Sequence, residues 1–134
     1  MVRLRYSINA AISSSSREER DLGNGMFEVM ADSEGEGASR KVTLPGSSVD
    51  VPISLCGIAS STFVLIQVEP KDPNELPVEV QFRLDAPTAD PIRVLPVGAG
   101  KKGYFLVTSP GITELYASNM GTIDVSLTLY LAGD

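Results

Sequence analysis

Apolar and polar residues alternate along much of this chain, most clearly at its two ends. Apolar residues occupy every second position from Val2 to Ile8 and again from Ile123 to Leu131. A period of two is typical of a β-strand with one face in the core and the other in solvent. Both ends of the chain are therefore predicted to be half-buried strands.

Between these ends, short segments rich in Val, Ile, Leu, Thr and aromatic residues are separated by clusters of Gly, Pro, Asn and Ser. This punctuation is typical of strands joined by tight turns. The predicted strands cover residues 2–9, 26–31, 40–44, 48–55, 62–69, 78–85, 92–97, 103–108, 112–118 and 122–131. Evenly spaced short strands predict an all-β antiparallel sandwich or barrel, and we expect residues 1–134 to form a single domain.

The N-terminal part of the chain contains two polar segments that are predicted as long loops. Residues 13–25 are rich in Ser, Glu and Arg, with a capping-box spacing that alternatively allows a short helix over residues 17–22. Residues 32–37 form the run Asp-Ser-Glu-Gly-Glu-Gly, which places Asp32, Glu34 and Glu36 at alternate positions. Calcium favours such carboxylates, but the spacing lacks the pattern of an EF-hand, so we interpret the run as a solvated acidic loop.

Two predicted strands are apolar on both faces. Residues 63–66 and residues 104–107 are continuous apolar runs, whereas residues 78–85 alternate regularly. One face of each strand in a two-sheet antiparallel sandwich normally meets water. The second face of these strands therefore has to be covered, either by other segments of this chain or by another protein.

Composition excludes many kinds of chemistry. The chain has 134 residues with no His, no Trp and a single Cys, Cys56. Nucleophilic sites built on Ser-His or Cys-His pairs and His-containing zinc sites are therefore impossible. We expect a protein that is not an enzyme, with no catalytic residues, no metal site and no cofactor.

Charge disfavours a nucleic-acid partner. Lys and Arg total 11 and Asp and Glu total 17, which gives a formal net charge of −6. Binding to phosphates needs clustered basic residues, and here they are scattered in ones and twos. The start of the sequence lacks the apolar run of a secretory signal, and the uncharged residues 51–68 contain Pro52 and Gly57, so we expect an intracellular origin and no membrane span.

The last part of the chain has a distinctive sequence pattern. It runs Gly-Tyr-Phe-Leu-Val-Thr-Ser from Gly103, then Ile-Thr-Glu-Leu-Tyr-Ala-Ser-Asn from Ile112, then the alternating strand that leads to Asp134. This pattern resembles the closing strands of small virion structural proteins of tailed bacteriophages, over about residues 60–134. The resemblance implies a jelly roll or related sandwich that decorates or cements a capsid, or belongs to the tail, and it supplies no catalytic residues.

Together, the pattern and the resemblance predict an antiparallel β-sandwich of the jelly-roll type with long N-terminal loops. Its expected function is that of a homo-oligomeric capsid cement or decoration protein, located in the virion, that binds the major capsid protein or other virion proteins. The alternatives are a tail or baseplate component and a carbohydrate-binding module with tyrosines as stacking platforms. The residues expected at a partner interface are Arg17, Arg20, Met26, Phe27, Met30, Phe63, Leu65, Tyr104 and Leu106.

Overall fold

The computed structural model describes residues 3–13, 19–30, 36–96 and 101–133, with side chains for residues 37–96, 101–109 and 111–133. Its elements are β1 (Arg3–Ser13), β2 (Glu19–Met30), β3 (Glu36–Leu44), β4 (Val51–Pro52), β5 (Ser61–Pro70), β6 (Val80–Leu84), β7 (Ile92–Val94), β8 (Gly103–Ile112), β9 (Leu115–Asn119) and β10 (Val125–Gly133). Within these described ranges, no helix is long and apolar enough to cross a membrane.

Strands β3 to β10 form two antiparallel four-stranded sheets. The first sheet has the order β3-β10-β5-β8 and the second has the order β4-β9-β6-β7. The paired strands are nested along the chain, as in one long hairpin: β3 pairs with β10, β4 with β9, β5 with β8 and β6 with β7. A long hairpin rolled into two facing sheets in this way is a jelly roll. The predicted antiparallel sandwich of the jelly-roll type is therefore confirmed.

The core lies between the two sheets, where the alternation along each strand places its apolar residues. On β10, Leu127 and Leu129 are fully buried, as the period of two predicts. On β6, Val80 and Phe82 are fully buried and the intervening Gln81 is half-buried. Complete burial of one such apolar side chain contributes about 1.5–3 kcal/mol, so this inner layer supplies the main stabilisation of the fold.

The N-terminal segment differs from its predicted loop. Strand β2 begins at Glu19 and pairs antiparallel with β1, from Ser13 opposite Glu19 to Arg3 opposite Met30. The part of the polar segment from residue 19 onwards is therefore strand, and the alternative helix over residues 17–22 is wrong for residues 19–22. A hairpin satisfies backbone N–H and C=O groups regardless of side-chain polarity, so a search for apolar periodicity misses it. Residues 14–18 and 31–35, including Arg17, Asp32 and Glu34, lie outside the described residues.

The strand predicted over residues 48–55 is much shorter in the structure, since β4 comprises only Val51–Pro52. Positive φ angles flank it, 58° at Ser47, 47° at Asp50 and 58° at Cys56. Such angles lie in the left-handed region and interrupt extended backbone. The carboxylate of Asp50 accepts a hydrogen bond from Arg83 Nη1 at 2.7 Å, which anchors this turn to β6.

Asn119 fastens the loops at one end of the sandwich. Its side chain is almost fully buried, and its amide nitrogen donates to the carbonyl oxygens of Leu44 at 3.2 Å and Ile123 at 2.7 Å. Its amide oxygen accepts a hydrogen bond from the backbone N–H of Gly121 at 3.0 Å. One side chain therefore joins the end of β3, the end of β9 and the turn that leads into β10.

Candidate functional site

The side of the first sheet that faces away from the core is called the outer face here. Val64 and Ile66 on β5 belong to the core, so Leu65 between them points outwards. In the strand register, Leu65 lies opposite Tyr130 on β10 and opposite Leu106 on β8. Three large side chains therefore form one row across three neighbouring strands.

Tyr104 extends this row into a patch. It lies on β8 two residues before Leu106, opposite Gln67, and therefore points to the same face. Tyr104 is 61% exposed, Tyr130 38% and Leu106 37%, while Leu65, between Tyr130 and Leu106, is half-buried. These four residues are called the outer apolar patch.

The outer face of the second sheet shows what such a surface normally contains. Gln81 on β6 lies opposite Arg93 on β7 and opposite Ser118 on β9, so the corresponding row there is entirely polar. This is the usual composition for the solvent side of an antiparallel sheet. This row of the second sheet therefore has no counterpart of the outer apolar patch.

One end of the outer face is covered within the chain itself. Phe63 lies opposite Ala132, and the alternation along β5 directs it away from the core residue Val64. Both Phe63 and Ala132 are nevertheless buried in the single chain. This chain therefore covers the Phe63 end of the outer face, whereas the Tyr104 end is exposed.

Polar side chains border the patch on its other side. Gln67 lies between Thr128 and Tyr104, and the next outward residue of β5, Glu69, is 3.9 Å from the ammonium group of Lys102. The Lys102 side chain is 45% exposed, so this ion pair contributes little to stability. An apolar centre with a charged and polar border is the usual anatomy of a protein interface.

The structure brings together three of the residues predicted at a partner interface. Leu65, Tyr104 and Leu106 share the exposed part of the outer face, whereas Phe63 lies on the same face but is fully buried and offers no surface to a partner. Four predicted residues lie on β2, where the side chains are not described, namely Arg20, Met26, Phe27 and Met30. The predicted interface omits Tyr130, which occupies a polar position in the alternation of the last strand. An aromatic residue at such a position is the sequence signal that indicates an apolar outer face.

Acidic side chains elsewhere take part in local hydrogen bonds. Asp85 Oδ1 accepts the backbone N–H of Thr113 at 2.8 Å, and Glu114 Oε2 accepts the hydroxyl of Tyr116 at 2.7 Å. The hydrogen bond to Glu114, followed by partial burial and the negative charge of the carboxylate, raises the pKa of Tyr116 above its ordinary value of 10.0. Among the described residues, no group of three or more Cys, Asp or Glu side chains is placed to hold a metal ion.

Comparisons with known proteins leave the family open. No protein-family model matches the chain, and no curated protein matches it. Among solved structures, the chain is similar to a chain described as "nora virus structure", at a TM-score of 0.45 and 9% identity, covering 76% of this chain and 56% of that one. It is also similar to the Schizosaccharomyces pombe Cnp3 cupin domain, at a TM-score of 0.45 and 18% identity, covering 96% of this chain and 88% of that one. The chain thus spans little more than half of the first of these, and at such scores neither likeness bears on its function.

Proposed function

We propose that this chain is a non-enzymatic virion structural protein, a capsid cement or decoration protein that binds the major capsid protein lattice as a homo-oligomer. The observation that carries the proposal is the outer apolar patch, a row of large side chains exposed where an antiparallel sheet is normally polar. Contiguous apolar surface on a soluble protein is typical of an interaction site. The resemblance of residues 60–134 to small tailed-phage virion proteins supports a capsid as the partner.

The energetics of the patch suit a protein that acts in many copies. Complete burial of one large apolar side chain contributes about 1.5–3 kcal/mol, and the four patch residues are already partly buried. One copy therefore gains only a few kcal/mol at this surface, before the loss of translational and rotational freedom is subtracted. Linked copies on a regular lattice bind more tightly than one copy because each later contact is intramolecular.

Binding to bare capsids of the source virus tests the proposal. We expect the wild-type protein to sediment with the capsids and to raise their disruption temperature. The double variant Tyr104→Ser, Leu106→Ser removes much of the exposed apolar surface and should lose both effects. The control variant Arg93→Ser, on the polar outer face of the second sheet, should retain them. Absence of wild-type co-sedimentation, or equal binding by the patch variant, would contradict the proposal.

A tail or baseplate component would use the same apolar face on a different lattice. Labelled antibody against the chain, applied to intact virions in electron microscopy, separates the two locations. Label distributed over the capsid supports the proposal. Label confined to the tail would contradict it and identify a tail protein as the partner.

Carbohydrate binding is a second candidate because two exposed tyrosines share the outer face. Tyr104 and Tyr130 are 61% and 38% exposed, and aromatic rings of this kind can stack on sugars. This candidate predicts retention on a glycan array that is lost in Tyr104→Ala. No retention of the wild-type protein on any glycan would exclude it in favour of the protein lattice.

A further inference from the structure

The two sheets have four edge strands, and three of them have features that oppose pairing with another strand. Edge strand β4 has only two residues, one of which is Pro52, and edge strand β7 has only three residues, including Arg93. Edge strand β3 is long, but its exposed Arg40 lies opposite the core residue Leu129 and therefore points to the core side of the sheet edge. Short strands, proline and inward-pointing charges are the usual means by which proteins prevent edge-to-edge association.

The fourth edge strand, β8, has none of these protections over most of its length. It runs for ten residues without a charged side chain. Among the described strands it is hydrogen-bonded on one side only, to β5. Pro110 removes one backbone donor near its end, but the seven residues from Gly103 to Ser109 all keep their N–H groups.

We propose that β8 pairs antiparallel with β8 of a second copy of this chain, which joins the two first sheets into one continuous sheet. This inference deepens the homo-oligomeric part of the proposed function and rests on it. Pairing of β8 with the same strand of a second copy about a two-fold axis is isologous. Both copies therefore contribute the same residues, and the contact closes as a dimer. Strand addition supplies partners for backbone groups at a free edge.

Charge favours a second copy in this orientation. Lys101 and Lys102 precede β8 and are exposed, and Glu114 follows it and is exposed as well. Antiparallel pairing places the start of each β8 beside the end of the other. The two lysines of one copy therefore approach Glu114 of the other, and symmetry provides this attraction twice. Two molecules that each carry a net charge of −6 repel each other. Strand β8 has no charged side chain, so its pairing adds no like-charge contact to this repulsion.

The outer apolar patch is continuous with this edge. Tyr104 and Leu106 lie on β8 itself and point to the outer face. A two-fold axis perpendicular to the sheet keeps both outer faces on the same side. The dimer therefore presents two copies of the patch side by side. Binding of the first patch to a lattice makes binding of the second intramolecular, so the dimer binds more tightly than a single copy.

Sedimentation equilibrium of the full chain over a range of micromolar concentrations tests the pairing. We expect a monomer–dimer equilibrium. The variant Thr108→Lys places like charges close together near the middle of the paired strands, and since Thr108 is exposed the fold should be preserved. We expect its dimer to be about tenfold weaker. The matched control Ser39→Lys adds the same charge at an exposed position of edge strand β3 and should leave the dimer unchanged.

A charge exchange tests the orientation. Glu114→Lys alone and the double variant Lys101→Glu, Lys102→Glu alone should each weaken the dimer, and mixing the two proteins should restore association between them. Circular dichroism of each variant verifies that it is folded. A strictly monomeric wild-type chain, or a dimer insensitive to Thr108→Lys, would overturn the inference. Capsid binding by a strictly monomeric wild-type chain would overturn the β8 pairing and the homo-oligomeric part of the proposed function but leave capsid binding intact, whereas a dimer that does not bind capsids would overturn capsid binding and leave the pairing intact.

Discussion

The rings of Phe82 and Phe105 stack on each other, with 5.4 Å between their centroids and an angle of 14° between their planes. Phe82 lies on β6 of the second sheet and Phe105 on β8 of the first, so the contact connects the two layers of the sandwich. Phe105 is also the core-side neighbour of the exposed Tyr104 and Leu106. The stack therefore holds in place the strand that carries half of the outer apolar patch.

Truncation of this stack should destabilise the fold strongly. We expect Phe82→Ala to lower the free energy of unfolding by about 3–5 kcal/mol, because Phe82 is fully buried and its removal leaves a cavity. Urea denaturation followed by circular dichroism measures the change. Tyr104→Ala, at a 61% exposed neighbouring position on β8, is the control and should cost far less. Equal losses for the two variants would show that the sheets are not held together at this point.

Loss of the Asn119 side chain should loosen one end of the sandwich. Asn119→Ala leaves the carbonyls of Leu44 and Ile123 and the N–H of Gly121 without their partner. We expect a loss of about 2–4 kcal/mol, since each buried polar group left unpaired is costly. Thermal unfolding measures it, and hydrogen exchange should show faster exchange at Gly121. Asn74→Ala, in an exposed loop, is the comparison and should be nearly neutral. A Tm for Asn119→Ala as high as that of the wild type would mean that water replaces the amide.

Much of the fold follows from the sequence because alternation and turn residues are local signals. The period of two on β10 correctly predicts Leu127 and Leu129 in the core, and Gly103 correctly marks the start of β8. The order in which strands pair is not a local property, so the jelly roll is predicted by the resemblance and not by the alternation. Backbone angles in the left-handed region at Ser47 and Asp50, neither of them glycine, have no comparable signal in the sequence.

The sequence predicts only part of the candidate site, because apolar runs are local signals whereas burial and strand register are not. The continuous apolar runs predict only that both faces of these strands are apolar, and the register then places Leu65, Tyr104 and Leu106 on the outer face. The same runs could not separate Phe63, which is buried within the chain, from Tyr104, which is exposed, because that difference depends on what packs above each strand. Tyr130 joins the patch only through its register with Leu65, a relationship between strands that lie far apart in the sequence.

The hydrogen bond between Tyr116 and Glu114 should be visible at high pH. It raises the pKa of the Tyr116 phenol above 10.0, so the neutral form is favoured more in the folded protein than in the unfolded one. The resulting stabilisation is present in full below pH 10.0 and is lost as the pH rises through the folded pKa. Ultraviolet absorbance of the phenolate follows this titration, with Tyr116→Phe identifying the signal. Glu114→Gln should move it to lower pH, and an unchanged titration would exclude the carboxylate as the cause.

Arg40 should be what keeps the long edge strand β3 from pairing with other molecules. It is exposed, yet its register opposite Leu129 directs it to the core side of the sheet edge, where a pairing strand would have to bury its charge. Arg40→Val replaces that charge with a side chain that favours strands, so we expect the variant to self-associate more strongly than the wild type in light scattering. Ser39→Val, whose side chain points to the opposite face of the same strand, separates an effect of the lost charge from a general effect of added apolar surface. If Ser39→Val associates as strongly as Arg40→Val, the inward-pointing charge is not the protective feature of β3, and its contrast with β8 loses its physical basis.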